Sequence, residues 1–392
     1  MNKKKNSSII SGWKTTLVLM AIWLNICYLA FKIVGPNPSN LIHAIRRMLT
    51  LKKQFLGTRI RKLSKMGGRY FWDHHQAGWP SRAFNQDFKW IITQELYPEK
   101  RHPESVRYVL LMITKKCPLN CEHCFEWDEI NKKETLSLDD LKTIVNKYQN
   151  LGTAQFLLGG GEPLSRYNEL IELLEHASNT SDFWLSTSAF GLTKPKARAL
   201  KTAGLTGLSI SLDHYNPDDH NTFRGNHRSY EQVMNAIAIA HEVGLAVSLS
   251  VCTTRNFISP ENLSAYADLA LRKNVSFIQL IEPRAAGRYA GKDVQLSQSH
   301  YDVLDEFYDK LNNDPVYSHY PIVIHPGYYQ RQFGCAGAGI RSITIDTDGN
   351  IIACPFCRKK SKSTKLNTSE LLKEIQHEGC YKFDKRATTT LV

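Results

Sequence analysis

The chain has 392 residues of ordinary globular composition, enough to bury a substantial core in one large domain or two smaller ones. Its 50 Lys and Arg outnumber its 37 Asp and Glu, for a net charge of +13, yet thirteen of those bases and none of the acids fall in residues 1 to 66. Setting the thirteen aside leaves 37 bases against 37 acids, so the body has no surplus with which to grip phosphates, and this argues against a nucleic-acid partner.

Between Lys14 and Lys32 run seventeen uncharged residues, TTLVLMAIWLNICYLAF, at the short end of what crosses a bilayer core. No small-x-small cleavage site follows, and Ile26 before Cys27 is too large for a lipoprotein site, so residues 1–34 read as a retained transmembrane anchor. More positive charge lies downstream of the apolar run than upstream, which places a single-pass protein's C-terminal body in the cytoplasm. Nine cysteines grouped at metal-ligand spacings fit that reducing compartment. The next stretch, NLIHAIRRMLTLKKQFLGTRIRKLSKMG, threads Leu41, Ile45, Met48, Leu49, Phe55 and Leu63 among eight cations. It reads as a basic amphipathic helix on an anionic membrane surface, inside a linker spanning residues 35–105; the plainer reading is a solvated helix packed on the body.

From residue 106 apolar runs alternate with helical periods, as parallel α/β units do. Strands are expected at 106–114, 154–160, 182–188, 207–213, 246–252 and 275–283. Helices are expected after Ser137, whose hydroxyl can cap a helix with Asp140 in its first turn, and at 167–177, 194–204, 230–244 and 260–274. Six such units over residues 106–284 fit a partial (β/α) barrel or an open doubly wound sheet, and in either the ligand sits at the carboxyl ends of the strands. The informative stretches fall there: KKCPLNCEHCF after the first strand, GGGEP after the second, STSAF after the third and SLDH ending the fourth. A second unit, 285–392, contains RSITIDTDGNIIAC, two alternating runs around Asp348-Gly349 that signal a hairpin, and four more cysteines.

Cys117, Cys121 and Cys124 supply three thiolates where a closed zinc site needs four ligands. A cuboidal four-iron cluster held by three cysteines keeps one iron corner open for a substrate or cofactor; the alternative is zinc completed by His123 or a distant cysteine.

This CxxxCxxC loop, with GGEP one strand later, closely resembles the radical S-adenosylmethionine (radical SAM) superfamily, and the likeness covers residues 106 to 283 and, more loosely, 335 to 380. It implies a partial (β/α)6 TIM-like barrel and a [4Fe-4S] cluster on Cys117, Cys121 and Cys124. The open iron is then chelated by S-adenosylmethionine, which the reduced cluster cleaves to a 5′-deoxyadenosyl radical that takes a hydrogen atom from substrate. By the same likeness Gly160, Gly161, Glu162 and Pro163 hold the SAM amino group, the glycines permitting close backbone approach. Ser186 and Ser188 stand where the family contacts the ribose and the SAM carboxylate, although STSAF replaces a common Asn-Gly pair. Ser211 and Asp213 match an SxD motif, followed here by His214, and Arg224 matches an arginine of the peptide-modifying branch. A reductant protein such as a flavodoxin or ferredoxin is also implied.

Cys335, Gly349, Cys354 and Cys357 resemble the opening of the SPASM and twitch extensions, with Cys380 as a fourth ligand. That likeness implies one auxiliary [4Fe-4S] cluster; four thiolates suit a structural zinc equally. The expectation is a membrane-tethered radical SAM enzyme acting on a peptide or protein being matured, or on a lipid or other membrane-associated small molecule. No catalytic side chain is assigned. A competing reading, a non-catalytic iron-sulfur electron carrier or zinc-binding module, accounts for the cysteines and the anchor but not for GGEP placed one strand after the triplet.

Overall fold

The computed structural model describes residues 7–56, 60–97, 102–335, 337, 339–356, 362–363 and 368–378. An N-terminal module comes first: strand β1 (Ser7–Ser11), helix α1 (Trp13–Val34), helix α2 (Pro38–Leu56), strands β2 (Lys62–Met66) and β3 (Arg69–Phe71), and helix α3 (Arg82–Leu96). The body continues with β4 (Tyr108–Thr114), α4 (Leu138–Asn150), β5 (Gln155–Gly160), α5 (Tyr167–His176), β6 (Asp182–Thr187) and α6 (Lys194–Thr202). It goes on through β7 (Leu205–Ser211), α7 (Pro217–Arg224), α8 (Ser229–Val243), β8 (Ala246–Cys252), α9 (Pro260–Arg272) and β9 (Phe277–Ile281). The last elements are α10 (Gln298–Asn313), β10 (Ile322–Ile324), α11 (Pro326–Phe333), β11 (Ser342–Ile345), β12 (Asn350–Ile352), β13 (Lys362–Ser363) and α12 (Thr368–Glu378).

Ten strands form one sheet in the order β10-β9-β8-β7-β6-β5-β4-β11-β12-β13, parallel from β10 through β11 and antiparallel beyond. The six expected strands are all present within two residues of their expected ends, and Ser137 caps α4 in a capping box with Asp140. Strand residues alternate between two environments. Val109, Leu111, Phe156, Leu158, Leu185, Leu208, Leu249 and Ile278 face outward into the apolar layer built with α4 to α6 and α8 to α10. Their neighbours face inward. Near the amino ends these are Trp184, Ala246 and Phe277, packed with Met66 and Phe71. Toward the carboxyl ends they are Gly159, Ser186, Ser209, Ser211, Ser250 and Gln279. A TIM-type interior is ordinarily filled by bulky branched residues; this small, polar upper half leaves a cavity of about 550 Å³.

The described residues of 35–105, a stretch expected as a linker, form a folded floor under that cavity. The amphipathic helix expected over residues 40 to 67 ends at Leu56, and Lys62–Met66 instead pairs antiparallel with β1, from Ser7 opposite Met66 to Ser11 opposite Lys62. Leu63 is fully buried with Phe84, Phe88 and Ile92 of α3, an apolar demand that a membrane-surface helix does not meet. The floor grips the amino ends of the barrel strands: Ser64 Oγ donates to Ser276 Oγ at 2.8 Å, Gly78 N to Asp182 at 3.2 Å, and Gln155 Nε2 to the carbonyl of His74. On α3, Asp87 takes a two-pronged bond from Arg107, at 2.7 and 2.8 Å, just ahead of β4.

Helix α1 is long and apolar enough, by length and composition, to cross a membrane. Ile22, Ile26, Leu29 and Ala30 on one face are buried against the floor cluster, while Trp13, Leu17, Met20, Leu24, Tyr28 and Phe31 are exposed. The hairpin expected at 341–354 is β11 and β12, with Gly349 at φ +81° in the turn. Strand β11 extends the barrel sheet by pairing parallel with β4, Ser342 opposite Tyr108.

Candidate functional site

The mouth of the cavity is built where β4 and β5 end. Between them lies the three-thiol loop, and its backbone is fixed from several sides. Asn120 N and Glu122 N donate to the carbonyls of Arg224 and Phe223 at the end of α7, at 3.2 and 2.9 Å. Asn131 takes the amide of Cys117 and donates to its carbonyl, at 3.0 and 3.1 Å. Arg288 N donates to the carbonyl of Cys124 at 2.9 Å, and its guanidinium to the carbonyl of Asn120 at 2.9 Å. The loop is therefore held in one shape by groups up to about 170 residues away in sequence.

Cys117, Cys121 and Cys124 all line the cavity as free thiols. Burial pushes the Cys117 thiol up to about 11 and Cys124 up to about 12, each also raised by its neighbouring cysteine. Two thiols that burial keeps from ionising, converging with Cys121 on one cavity, suit a cationic group that would stabilise the thiolates. In that sense the donor set fits an iron-sulfur cluster.

The GGEP loop packs directly onto the start of the thiol loop. Gly161 N donates to the carbonyl of Thr114 at 2.8 Å and Glu162 N to that of Lys116 at 2.7 Å. A Cβ at Gly160, where φ is +118°, would sit 2.4 Å from the Thr114 carbonyl oxygen, and one at Gly161 would sit 2.3 Å from that of Lys116. Both glycines are thus demanded by close approach of backbone to backbone. Pro163 opens the short turn that follows, capped by Glu162.

Glu162 is 1% exposed, and its carboxylate is engaged by the protein itself. Oε1 accepts from Thr187 Oγ1 at 2.5 Å and Leu164 N at 3.0 Å; Oε2 accepts from Ser188 N at 2.8 Å and from Ser188 Oγ. Burial raises its pKa against these donors, which act to lower it. Ser188, expected beside the SAM carboxylate or ribose, therefore spends both its amide and its hydroxyl on Glu162. Ser186 and Ser211 face the cavity.

Asp213 and Arg224 form a buried ion pair, Arg224 Nε to Asp213 Oδ2 at 2.6 Å, and Cys252 N donates to Asp213 Oδ1 at 3.0 Å. Burial works against the Asp213 carboxylate, but Arg224, His123, His220 and the Cys252 amide together outweigh it and hold the pKa below the usual range. The same guanidinium reaches Cys121 Sγ at 3.5 Å. His214, next in sequence, stacks on Tyr215. His123 stacks on Phe223 with ring centroids 4.8 Å apart, and burial lowers its pKa to about 4.

Of the late cysteines, Cys335 and Cys354 line the same cavity as the triplet, whereas Cys357 and Cys380 lie outside the described residues. Sequence reasoning missed the cluster at the end of β9. Glu282, 5% exposed, lines the cavity and meets His325 at 3.2 Å, Arg284 at 3.2 Å, and Arg331. Burial works against its charge, but His325, Arg284 and Arg331 prevail and hold it at about 2. An acid closing an apolar strand in FIQLIEP was the available signal; Arg284 is two residues away, but His325 and Arg331 come from α11 and its approach, more than forty residues on.

The description Radical SAM superfamily matches residues 111–271, the span from β4 through α9. A GTP 3′,8-cyclase of Petrotoga mobilis is 31% identical over 231 residues, covering 55% of this chain and 68% of that one. An AdoMet-dependent heme synthase of Oleidesulfovibrio alaskensis is 26% identical over 231 residues, covering 57% and 58%. SuiB of Streptococcus suis, solved bound to its precursor peptide SuiA, shares the fold at 13% identity and a TM-score of 0.58, over 74% of this chain and 70% of that one. The chain spans between about half and about two thirds of the length of the curated relatives it matches. The family match spans the triplet and the GGEP loop, and with the Petrotoga relative covered over 68% of its length the chain belongs to the radical SAM superfamily.

Proposed function

We propose that the protein is a membrane-tethered radical SAM enzyme that removes a hydrogen atom from a peptide or protein under maturation. The observation that carries this is the meeting of three thiols and the GGEP loop in the lining of one cavity. When bound, the cluster and SAM supply an electron and, by cleavage of SAM, the hydrogen-abstracting 5′-deoxyadenosyl radical.

Cys117, Cys121 and Cys124 would hold the cluster, and three thiolates would leave a coordination position free for SAM. Because the Glu162 carboxylate already accepts four hydrogen bonds, its part is to fix the loop, and it is the backbone around Gly160 and Gly161 that would receive the SAM ammonium. Ser186 and Ser211, at the ends of β6 and β7, accept or donate to the ribose and carboxylate. Asp213 orients Arg224 so that its positive charge rests beside one ligand thiolate. Cys335, Cys354, Cys357 and Cys380 hold an auxiliary cluster, and the likeness of those cysteines to peptide maturases supports the peptide class. SuiB, a neighbour in fold, was itself solved with a peptide, which is compatible with that class.

Anaerobically reconstituted, reduced protein should convert SAM to 5′-deoxyadenosine, and Cys121→Ala should abolish the conversion. A protein that carries its iron cluster yet leaves SAM intact refutes the reading. Comparison of peptide and lipid fractions from a deletion strain then decides the substrate class.

A further inference from the structure

We infer that α1 does not cross the bilayer but lies along one anionic leaflet, as an in-plane foot that stands the barrel closed end down. This refines the membrane attachment proposed above and does not depend on the radical chemistry.

The first argument is topological. Strand β1 precedes α1 and β2 follows α2, yet the two pair residue by residue over five positions. A spanning α1, about 33 Å long at 1.5 Å per residue, would put β1 on the far side of the membrane. Only a second crossing by α2 would bring the chain back, and α2 carries Arg46 and Arg47 in its middle. Among the described residues α1 alone is long and apolar enough to cross.

The second argument is that one face of α1 is already taken. Ile22, Ile26, Leu29 and Ala30 are 1 to 4% exposed in a cluster with Phe84, Phe88 and Ile92 of α3. Midway along the helix Asn25 Nδ2 donates to Asn85 Oδ1 at 2.8 Å. Helix α3 also carries Asp87, ion-paired with Arg107. Such a helix does not belong in hydrocarbon, where each polar group must find a partner.

The remaining face tells what covers it. Trp13, Leu17, Met20, Leu24, Tyr28 and Phe31 follow one another at intervals of three and four residues, so they share one stripe, and they are 46 to 73% exposed. Lysines sit at its two ends: Lys14 Nζ lies 5.8 Å from the Trp13 ring and Lys32 Nζ 4.7 Å from Tyr28. Aromatic rings beside lysines mark the headgroup level of a bilayer, the ammonium reaching toward the water. On α2, Ile42 and Leu49 are half exposed beside His43 and Arg46. With twelve basic residues besides the buried Lys62 and no acid in residues 1 to 66, the occupant with complementary charge is a leaflet of anionic lipid.

The foot belongs to the module that plugs the amino ends of the strands, whereas the thiols open at their carboxyl ends. The mouth thus faces away from the floor side, and substrate enters from the aqueous phase.

The test uses the full chain with an epitope at each end in a bacterial host. Both epitopes should be digested by protease in inverted membrane vesicles and both protected in intact spheroplasts. An N-terminal epitope digested in spheroplasts overturns the inference and leaves membrane attachment standing; protein found entirely in the soluble fraction overturns both. Purified protein should also bind vesicles containing phosphatidylglycerol and not vesicles of phosphatidylcholine alone. The exposed pair Leu17→Asp and Leu24→Asp should weaken that binding at least about tenfold while SAM cleavage is retained. Unchanged vesicle binding in the double variant overturns the inference.

Discussion

Arg224 lies with Nη1 3.5 Å from the Sγ of Cys121 while its Nε holds Asp213 at 2.6 Å, so one buried cation serves a carboxylate and a thiol at once. Two consequences separate experimentally. Arg224→Gln strands Asp213 without its partner, a loss of about 3–5 kcal/mol for a buried pair broken on one side, and also removes positive charge from beside the cluster. The Arg224→Gln, Asp213→Asn double variant should recover much of the melting temperature. Its cluster should still be harder to reduce than the wild type, because a cation near the thiolate favours the more negative reduced state. An unchanged reduction potential in both variants would show that Arg224 only supports the fold.

Gly161→Ala tests whether the GGEP loop and the thiol loop act as one unit. The added methyl would stand 2.3 Å from the Lys116 carbonyl oxygen and 3.2 Å from Cys117 Cβ. Overpacking of this kind costs about 1–3 kcal/mol, and here the strain falls on the residue that carries the first ligand. Iron uptake on reconstitution should drop while circular dichroism of the body stays as it was. Full iron loading would mean that the loop yields freely and the close approach is not required.

Replacing Cys335 and Cys354 by Ala separates the two thiol sets that share the cavity. If they hold a cluster of their own, about half of the iron is lost, conversion of SAM to 5′-deoxyadenosine persists, and substrate modification fails. Iron content equal to wild type, or zinc in the parent protein at this site, removes the auxiliary cluster from the mechanism.

Strands β4 to β9 were legible because their outward residues must be apolar and their ends carry the motifs; strand and helix limits there follow from local periodicity. The chemistry of the triplet was equally local. What escaped was set by distant partners. The sequence around Lys62 reads as one more stretch of a basic run, and nothing near it announces that its ammonium is buried against carbonyls some 250 residues later. Helix α3 did leave a trace in Phe84, Phe88 and Ile92 at intervals of four, but its acids and amides blurred the apolar face. Strand β10 has only three residues, too few for a period to show. In the same way GGEP identified Glu162 without revealing that Thr187 and Ser188 would occupy its carboxylate.

Lys62 provides a pH test of the floor. Its Nζ donates to the carbonyls of Leu311, Tyr320, Pro321 and Tyr317 at 2.5 to 3.3 Å, and burial lowers its pKa from the usual 10.5 to about 7. Between these two values the unfolded chain binds more protons at this lysine than the folded one, so folding grows more favourable as the pH rises through that window. Below it both states hold the proton, and the fold bears the whole penalty of a buried ammonium. Thermal unfolding followed from about pH 6 to about pH 9 should therefore show wild type gaining stability relative to Lys62→Met, whose own curve lacks this contribution. The comparison cancels other titrating groups shared by the two proteins. Parallel curves would mean that the carbonyls stabilise the ammonium enough to keep its proton, and that Lys62 joins floor to barrel as a permanent cation.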